Sequence, residues 1–310
     1  MTTDPTRRRK KQMQVILRQG TPEDAASCAA ICFEAFKSIA AEHNFPWAFP
    51  SAEAATALMT TRLAHPLLYS VVAESDGKVL GSNFLDERSP IAGIGPITVD
   101  PATQNQTIDR QLMFDVLARC ARRGVPGVRL VQSVNNNGSL CLYTKLGFET
   151  RELLSKLTGD PLGISFPGYQ VRTAVKADIS ACNALCHRVH GHHRDGEFDD
   201  AVDQGSARVV EHLSEITAYA TDIALSGHAV AETNQGLNAL IGAASGFSRG
   251  GFLLPTRNGE LFRWCLQHGL RLVHQMTLMT IGLYNEPAGA YLPLSCTNIA
   301  DKPNPSLIVP

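Results

Sequence analysis

The chain has 310 residues, about twice a common domain length, with 44% hydrophobic and 18% charged residues, so two globular cores are expected. A formal net charge of -1 gives no basis for a nucleic-acid partner, and no apolar run approaches the roughly 20 residues that cross a bilayer. No apolar segment follows the charged start, so no secretory leader is read; the eight cysteines form no CxxC pair, and free thiols in a cytoplasmic protein are the expectation.

In chain order, residues 1–12 hold the basic run Arg7-Arg8-Arg9-Lys10-Lys11 and read as a solvated tail. Val15–Arg18 is strand-like. It leads through Pro22-Glu23-Asp24 into a helix with Cys28, Ile31, Cys32 and Ala35 on one face. Residues 37–50 read as irregular and 52–64 as a second helix. Leu68–Glu74 and Lys78–Asp86 are strands joined by the hairpin signal Ser75-Asp76-Gly77. Ile91–Val99 is an apolar strand broken by Gly93, Gly95 and Pro96; proline removes a ladder donor, which predicts a strand splayed near position 96. A helix with Ile108, Leu112, Met113, Val116, Leu117 and Cys120 on one face ends at Arg122-Arg123-Gly124. Val128–Val134 is a strand, Asn136–Leu146 a short helix capped by Asn136, and Phe148–Leu157 a closing strand.

Residues 159–168 contain three glycines and two prolines and read as a linker. Beyond it the opening repeats. Arg18, Asp24, Cys28 and Cys32 recur as Arg172, Asp178, Cys182 and Cys186, each 154 positions on (172−18, 178−24, 182−28, 186−32). The expected division is therefore 13–158 and 169–310, two tandem α/β (α+β) domains, each a mixed twisted sheet flanked by helices. Within the second, His187, His190, His192 and His193 form a polar cluster. Metal ligation there is weighed against a helix end facing the interdomain cleft, and the latter is favoured, because no HExxH pattern is present. Asn258–Leu270 reads as a capped helix and Arg271–Ile281 as a strand.

The first half resembles the GNAT superfamily of N-acetyltransferases. The resemblance rests on the element order, on Val99-Asp100-Pro101-Ala102-Thr103-Gln104, and on Asn136-x-x-Ser139-x-x-x-Tyr143-x-x-x-Gly147-Phe148. It implies acetyl-CoA as co-substrate, entering where two parallel strands splay. Ile97, Thr98 and Val99 would pair with the pantetheine arm, and the pyrophosphate would rest on Gln104, Asn105, Gln106, Thr107, Ile108, Asp109 and Arg110 at a helix N-terminus. Asn136 and Ser139 would contact the arm, with Tyr143 as the acid for the departing thiolate. It also implies an amine of a small molecule or peptide as acceptor; charge and hydropathy add the expectation of no nucleic-acid and no membrane partner, and a homodimer is left open.

Two family glycine or alanine positions are Thr107 and Asp109 here. Glycine permits a positive φ and a close phosphate, whereas Asp109 brings a carboxylate to an anion site. Thr107 reads as an N-cap and Asp109 as a first-turn acid. A catalytically silent ligand-binding protein with weakened coenzyme binding is thus the alternative to an active enzyme. Glu87, near the expected acceptor cleft, is the first choice of base, with Glu34 and His43 behind it. Trp47 and Phe49 are candidate pocket walls. No QxxGxG precedes Asn258–Leu270, so the second half is expected to be a non-catalytic repeat.

Overall fold

The computed structural model describes residues 14–43, 49, 51–247 and 250–295, with backbone alone for 104–106. The basic tail, Trp47, Pro50, Cys296 and the side chains of Gln104, Asn105 and Gln106 lie outside the described residues.

The first half runs β1 (Ile16–Gln19), α1 (Ala25–His43), α2 (Ala52–Ala64), β2 (Leu68–Ser75), β3 (Lys78–Asp86), β4 (Ile91–Ile94), β5 (Thr98–Val99), α3 (Ile108–Arg123), β6 (Gly127–Ser133), α4 (Asn137–Lys145) and β7 (Glu149–Thr158). The β2–β3 hairpin turns on Asp76 and Gly77, both at positive φ (50° and 76°), the geometry a two-residue loop needs to match strand twist. Strand alternation then sorts the core. Val72 and Phe84 face α1 and α2, packing on Cys28, Cys32, Leu58 and Met59. Val71, Ala73 and Leu85 face α3, packing on Ile108, Leu112, Met113 and Val116. One correction concerns α1, which continues to His43 where irregular chain was expected from residue 37. Phe36, Ile39 and Ala40 extend the apolar stripe, and alanine-rich chain favours helix.

The second half contributes β8 (Tyr169–Thr173), α5 (Ile179–His190), α6 (Asp195–Asp203), β9 (Arg208–His212), β10 (Glu215–Ala220), β11 (Ala229–Ala231), α7 (Asn234–Ala243), β12 (Phe252–Pro255), α8 (Gly259–Gln267), β13 (Arg271–Gly282) and β14 (Ala290–Leu292). The repeated opening is a structural repeat. Arg18 grips Asp24 through two bonds of 2.7 and 2.8 Å and reaches Glu74 at 2.8 Å. Arg172 grips Asp178 at the same 2.7 and 2.8 Å and reaches Glu211 at 2.8 Å.

The halves exchange their closing strands. One nine-stranded sheet has the order β1-β2-β3-β4-β6-β13-β7-β12, with β5 attached to β3, and a second sheet has the order β14-β11-β10-β9-β8. β13 thus sits between β6 and β7, and β12 lies against β7. The registers obey a two-fold relation. Ser133 pairs with Met276 and Pro255 with Leu154, and 255−133 and 276−154 are both 122. Leu154 and Met276 also pair with each other, which places the approximate axis between them. Around that axis α8 is the counterpart of α4. Asn136 and Asn258 cap the two helices through Ser139 N and Leu261 N, and Gly147 and Gly269 end them at φ 94° and 88°. This corrects the treatment of Asn258–Leu270 as the helix that a phosphate loop should precede: in chain order the counterpart of α3 is α7.

A buried ion cluster joins the halves. Glu197 lies 2.6 Å from Arg194 and 3.0 Å from His228, and accepts from Ser89 Oγ at 3.3 Å. Arg88 bridges Asp86 (2.6 Å) and Asp200 (2.9 Å) beside it. No helix among the described residues is long and apolar enough to cross a membrane.

Candidate active site

The site starts from a break in a strand. β4 pairs in parallel with β6 through Ile91, Ala92 and Gly93. After Ile94 the chain leaves β6, and β5 pairs only with β3, through Gly81–Val99 and Ser82–Thr98. Pro96 has no N–H to offer a ladder, so the splay falls where the sequence predicts it. Arg62, 2% exposed on α2, holds the broken segment: its Nη1 donates to Gly95 O at 2.9 Å, and its guanidinium lies 5.6 Å from the Phe84 ring.

The splay opens a cleft of about 480 Å³. Ile94–Val99 form one wall and Leu130–Ser133 of β6 the other. Asp109, Asn136, Ser139 and Tyr143 line the α3–α4 side; Phe36, Ile39, Phe49, Lys156, Leu225, His274 and Met276 line it elsewhere. Register separates the two sides. His274 pairs with Lys156, Met276 with Leu154 and with Ser133, so these side chains share one sheet face, while Leu130 packs on the α3 side with Tyr143. The cleft therefore passes through the sheet.

Several expected residues meet here: Ile97, Thr98, Val99, Asp109, Asn136, Ser139 and Tyr143 all line the cleft. Asn136 Oδ1 accepts from Ser139 N at 2.9 Å, so its capping role occupies that oxygen. Tyr143 is 6% exposed and stacks edge-on to Phe148 with ring centroids 6.1 Å apart. Burial pushes its hydroxyl up to about 12, against a lowering hydrogen bond with Ser139 and with a small further rise from the Asp109 charge. It stays protonated at neutral pH.

Others are placed differently. Glu87 does not line the cleft: Arg119 clasps it at 2.8 and 2.9 Å and Arg123 at 3.1 Å, with both arginines on α3. Arg110 stacks 5.2 Å from the Phe114 ring and does not line the cleft either. Ile108, the first residue of α3, is fully buried and does not line the cleft. Glu34 and His43 on α1 are absent from the cleft wall. Residues 101–106 form a 3-10 turn, and Thr107 is left-handed (φ 61°, ψ 16°) with no capping hydrogen bond from its side chain, so the expected threonine cap is corrected. The backbone keeps the geometry glycine favours while carrying a Cβ, at about 1 kcal/mol. Asp109 Oδ1 accepts from Arg110 N at 2.7 Å, so the helix start carries its own carboxylate.

Sequence reasoning missed Gln132, Ser133, Lys156 and His274. The Thr98 hydroxyl, the Ser133 hydroxyl and both polar atoms of the Gln132 amide are buried without a hydrogen-bond partner among the described residues. Such groups are costly unless a ligand or water meets them. Lys156 reads in sequence as an ordinary exposed strand position, and His274 reaches the cleft only through the strand exchange.

The histidine cluster divides. His190 and His192 are buried, whereas His187 and His193 are exposed with rings 5.4 Å apart. Among the described residues no three His, Cys, Asp or Glu side chains converge as metal ligands. The described cysteines are free, and Cys141 alone among them is exposed.

Residues 34–148 match the model of the acetyltransferase (GNAT) family. A mycothiol acetyltransferase of Nocardia farcinica is 35% identical over 75 residues, 23% of this chain and 25% of that protein. One from Brachybacterium faecium is 31% identical over 134 residues, 41% of this chain and 38% of that protein. The matched stretches thus span about a quarter and under two-fifths of these relatives. A candidate acetyltransferase from Pyrococcus horikoshii superposes with a TM-score of 0.70 at 18% identity, over 91% of this chain and 94% of that one. A tandem GNAT protein from the clavulanic acid biosynthesis pathway superposes at 0.56 with 12% identity, over 87% and 98%. At such identities these two speak for the fold, and they do so across both halves. Residues 34–148 thus match the GNAT family model, and the chain as a whole shares the fold of a tandem GNAT protein.

Proposed function

We propose that the cleft binds acetyl-CoA and that the protein moves its acetyl group directly onto an amine of a small molecule or peptide. The passage through the sheet carries this reading, because it lets a thioester and an acceptor meet from opposite faces. The pantetheine arm lies along the free edge of Ile97–Val99, beside Gln132, Asn136 and Ser139. The acceptor nitrogen attacks the carbonyl carbon, the C–N bond forms as the C–S bond breaks, and Tyr143 gives its proton to the thiolate. The proton released from nitrogen is relayed through solvent to the Tyr143 phenolate and restores the tyrosine.

The second half is non-catalytic in this reading. In the first half the free edge beside β4 and β5 is the cleft; in the second, β14 takes the edge of β11, pairing Ala290, Tyr291 and Leu292 with Ala231, Val230 and Ala229. All three β14 residues are buried, and Cys265 stands where Tyr143 would, since 265−143 is also 122. Free thiols suit a cytoplasmic setting.

Tyr143→Phe is expected to lower kcat about a hundredfold while leaving the KM for acetyl-CoA within about twofold. A thiol-release assay with unchanged kcat would refute the acid role.

The lining position of Asp109 favours a second reading, a protein whose coenzyme binding is weak. A carboxylate about 6 Å from a phosphate at surface-like dielectric opposes binding by roughly 1–3 kcal/mol. The Thr107→Gly/Asp109→Gly variant is therefore expected to bind coenzyme A about tenfold or more tightly, with the gain shrinking in salt. Calorimetry showing micromolar affinity for the unaltered chain, and no gain in the variant, removes this reading.

A further inference from the structure

Lys156 is a buried charge of the cleft that has no counter-charge among the described residues. The residue is 6% exposed, lines the cleft, and makes no hydrogen bond or ion pair among the described residues. Burial alone lowers its pKa. Cleft-lining Asp109 is on the α3 side of the sheet, whereas Lys156 shares the other face with its cross-strand neighbour His274. His274 carries no compensating charge: burial, and then the Lys156 charge, bring it down to about 4, so it is neutral at physiological pH. An ammonium held in a largely buried cleft without a counter-charge is disfavoured relative to one in open water, and folding alone gains nothing from it that a methionine would not give. An anionic group on a ligand would supply the missing half of the pair.

The coenzyme is the wrong source for that group. Its phosphates belong with the α3 helix start, on the opposite side of the sheet. The acceptor enters on the Lys156 side, against Phe36, Ile39, Phe49, Leu225 and Met276. That wall is apolar and suits a hydrocarbon side chain. Amine, carboxylate and apolar body together define one chemical class.

Resting on the transferase reading above, we infer that the acceptor is an α-amino acid with an apolar side chain, its carboxylate held by Lys156 and its amine presented to the thioester. The transfer balances as before: the amine nitrogen gains the acetyl group, the sulfur leaves with the Tyr143 proton, and the nitrogen proton, relayed through water, reprotonates the Tyr143 phenolate. The carboxylate takes no part in bond changes and serves to orient and select. Half of the acceptor wall, Leu225, His274 and Met276, comes from the second half of the chain, which gives the non-catalytic repeat a part in specificity.

The test uses the full chain with acetyl-CoA and three amines of one shape: phenylalanine, phenylalaninamide and phenethylamine. Phenylalanine is expected to exceed the other two at least about tenfold in kcat/KM, through KM, the size of one charge-assisted contact. Lys156→Met is expected to bring the ratios to within about twofold of one and to raise the denaturation midpoint, since it removes an unpaired buried charge. Equal rates for the three amines, or an equal loss for all three in Lys156→Met, would overturn the assignment. So would intact-mass growth by one acetyl group that Lys156→Met abolishes, which would make Lys156 itself the acceptor. Calorimetry separates the two levels: phenylalanine binding tighter than phenylalaninamide, without coenzyme binding or thiol release, sustains Lys156 and sinks the transferase reading, whereas coenzyme binding with no discrimination between the two does the reverse.

Discussion

Glu197→Gln is expected to destabilise the protein by about 3–5 kcal/mol, among the largest losses available to a single near-isosteric change. Glu197 is 7% exposed and stands 2.6 Å from Arg194, itself largely buried, and 3.0 Å from His228, which is 1% exposed. Burial alone would raise the Glu197 carboxyl; the Arg194 charge, the His228 contact and the nearby Arg88 charge outweigh it and hold the group well below the usual carboxylate range. A glutamine keeps the volume and some of the hydrogen bonds but leaves the Arg194 guanidinium desolvated without its counter-charge. Arg88 keeps Asp86 and Asp200 and cannot lend either to Arg194 without breaking its own pairs. Because Asp86, Arg88 and Ser89 come from the first half and Arg194, Glu197, Asp200 and His228 from the second, the loss should loosen the joint between halves as well as the second core. Urea denaturation gives the midpoint. A double change, Arg194→Met with Glu197→Gln, should lose less than the single one, because it removes the stranded charge; a larger loss in the double would show that packing, not charge, sets the effect.

Mild acid is expected to unfold this protein over the range from about pH 6.5 down to about pH 4. Burial lowers His228 and His192 to about 4, and lowers His190 well below its ordinary value; the positive charges of Arg194 and Arg129 add to it at His190 and His192, and those of Arg194 and Arg88 at His228, where Glu197 opposes them. The sign follows from linkage. In the unfolded chain these imidazoles take up protons near pH 6.5, whereas the folded protein refuses them until about pH 4. Their contribution is complete above 6.5 and is lost as pH falls toward the folded values. Burial also brings His274 down to about 4, so four imidazoles act in the same direction. Each such group adds a slope of up to about 1.4 kcal/mol per pH unit, so together they reach roughly 5 kcal/mol per unit at the steepest point. Glu197, with its depressed pKa, contributes above its ordinary value near 4.5 and is lost only at still lower pH. Urea midpoints measured in steps from pH 8 to pH 4 should be flat above 7 and fall steeply below 6.5. A flat profile down to pH 5 would show that these imidazoles are hydrated in solution. His228→Gln should flatten the slope by about a quarter, as one of four comparable contributors.

Much of the fold was legible because the repeat is preserved where a charge needs a fixed partner. Arg18 with Asp24 and Arg172 with Asp178 make the same bidentate pair, so their common spacing survived and could be read directly. Farther along, the spacing between counterparts shrinks from 154 to 122, because the second half is shorter between its first strand and α8. A search at one offset therefore misses Asn136 with Asn258 and Gly147 with Gly269, which only cap geometry relates. Strand exchange was invisible for a different reason. β7 and β13 each carry a pattern that would serve equally well in their own half's sheet, and period-two alternation says which face a strand buries without naming its neighbour.

The site divides along the same line. Asn136, Ser139, Tyr143 and the break at Pro96 are local features of short segments, and the structure brings them to one cleft. Lys156 and His274 depend on pairing between residues far apart in the chain, so nothing near either of them marks it as part of a cleft. Glu87 lies outside the cleft wall because α3 presents Arg119 and Arg123 toward it, a relation across helix and strand that adjacency to the third strand could not show.

The position of β13 between β6 and β7 also sets a timetable for synthesis. When the ribosome has made β7, the first sheet has two long edges facing a gap that only residues 271–282 can fill. Those edges stay unpaired while the whole of the linker, α5 to α8 and β8 to β12 are produced. Open edges recruit strands, and the nearest competing supply is the β13 of another chain. Reciprocal donation would build an intertwined dimer from the same hydrogen bonds as the monomer. Refolding at high concentration is the condition that favours it, and a dimer that dissociates only on unfolding is its signature.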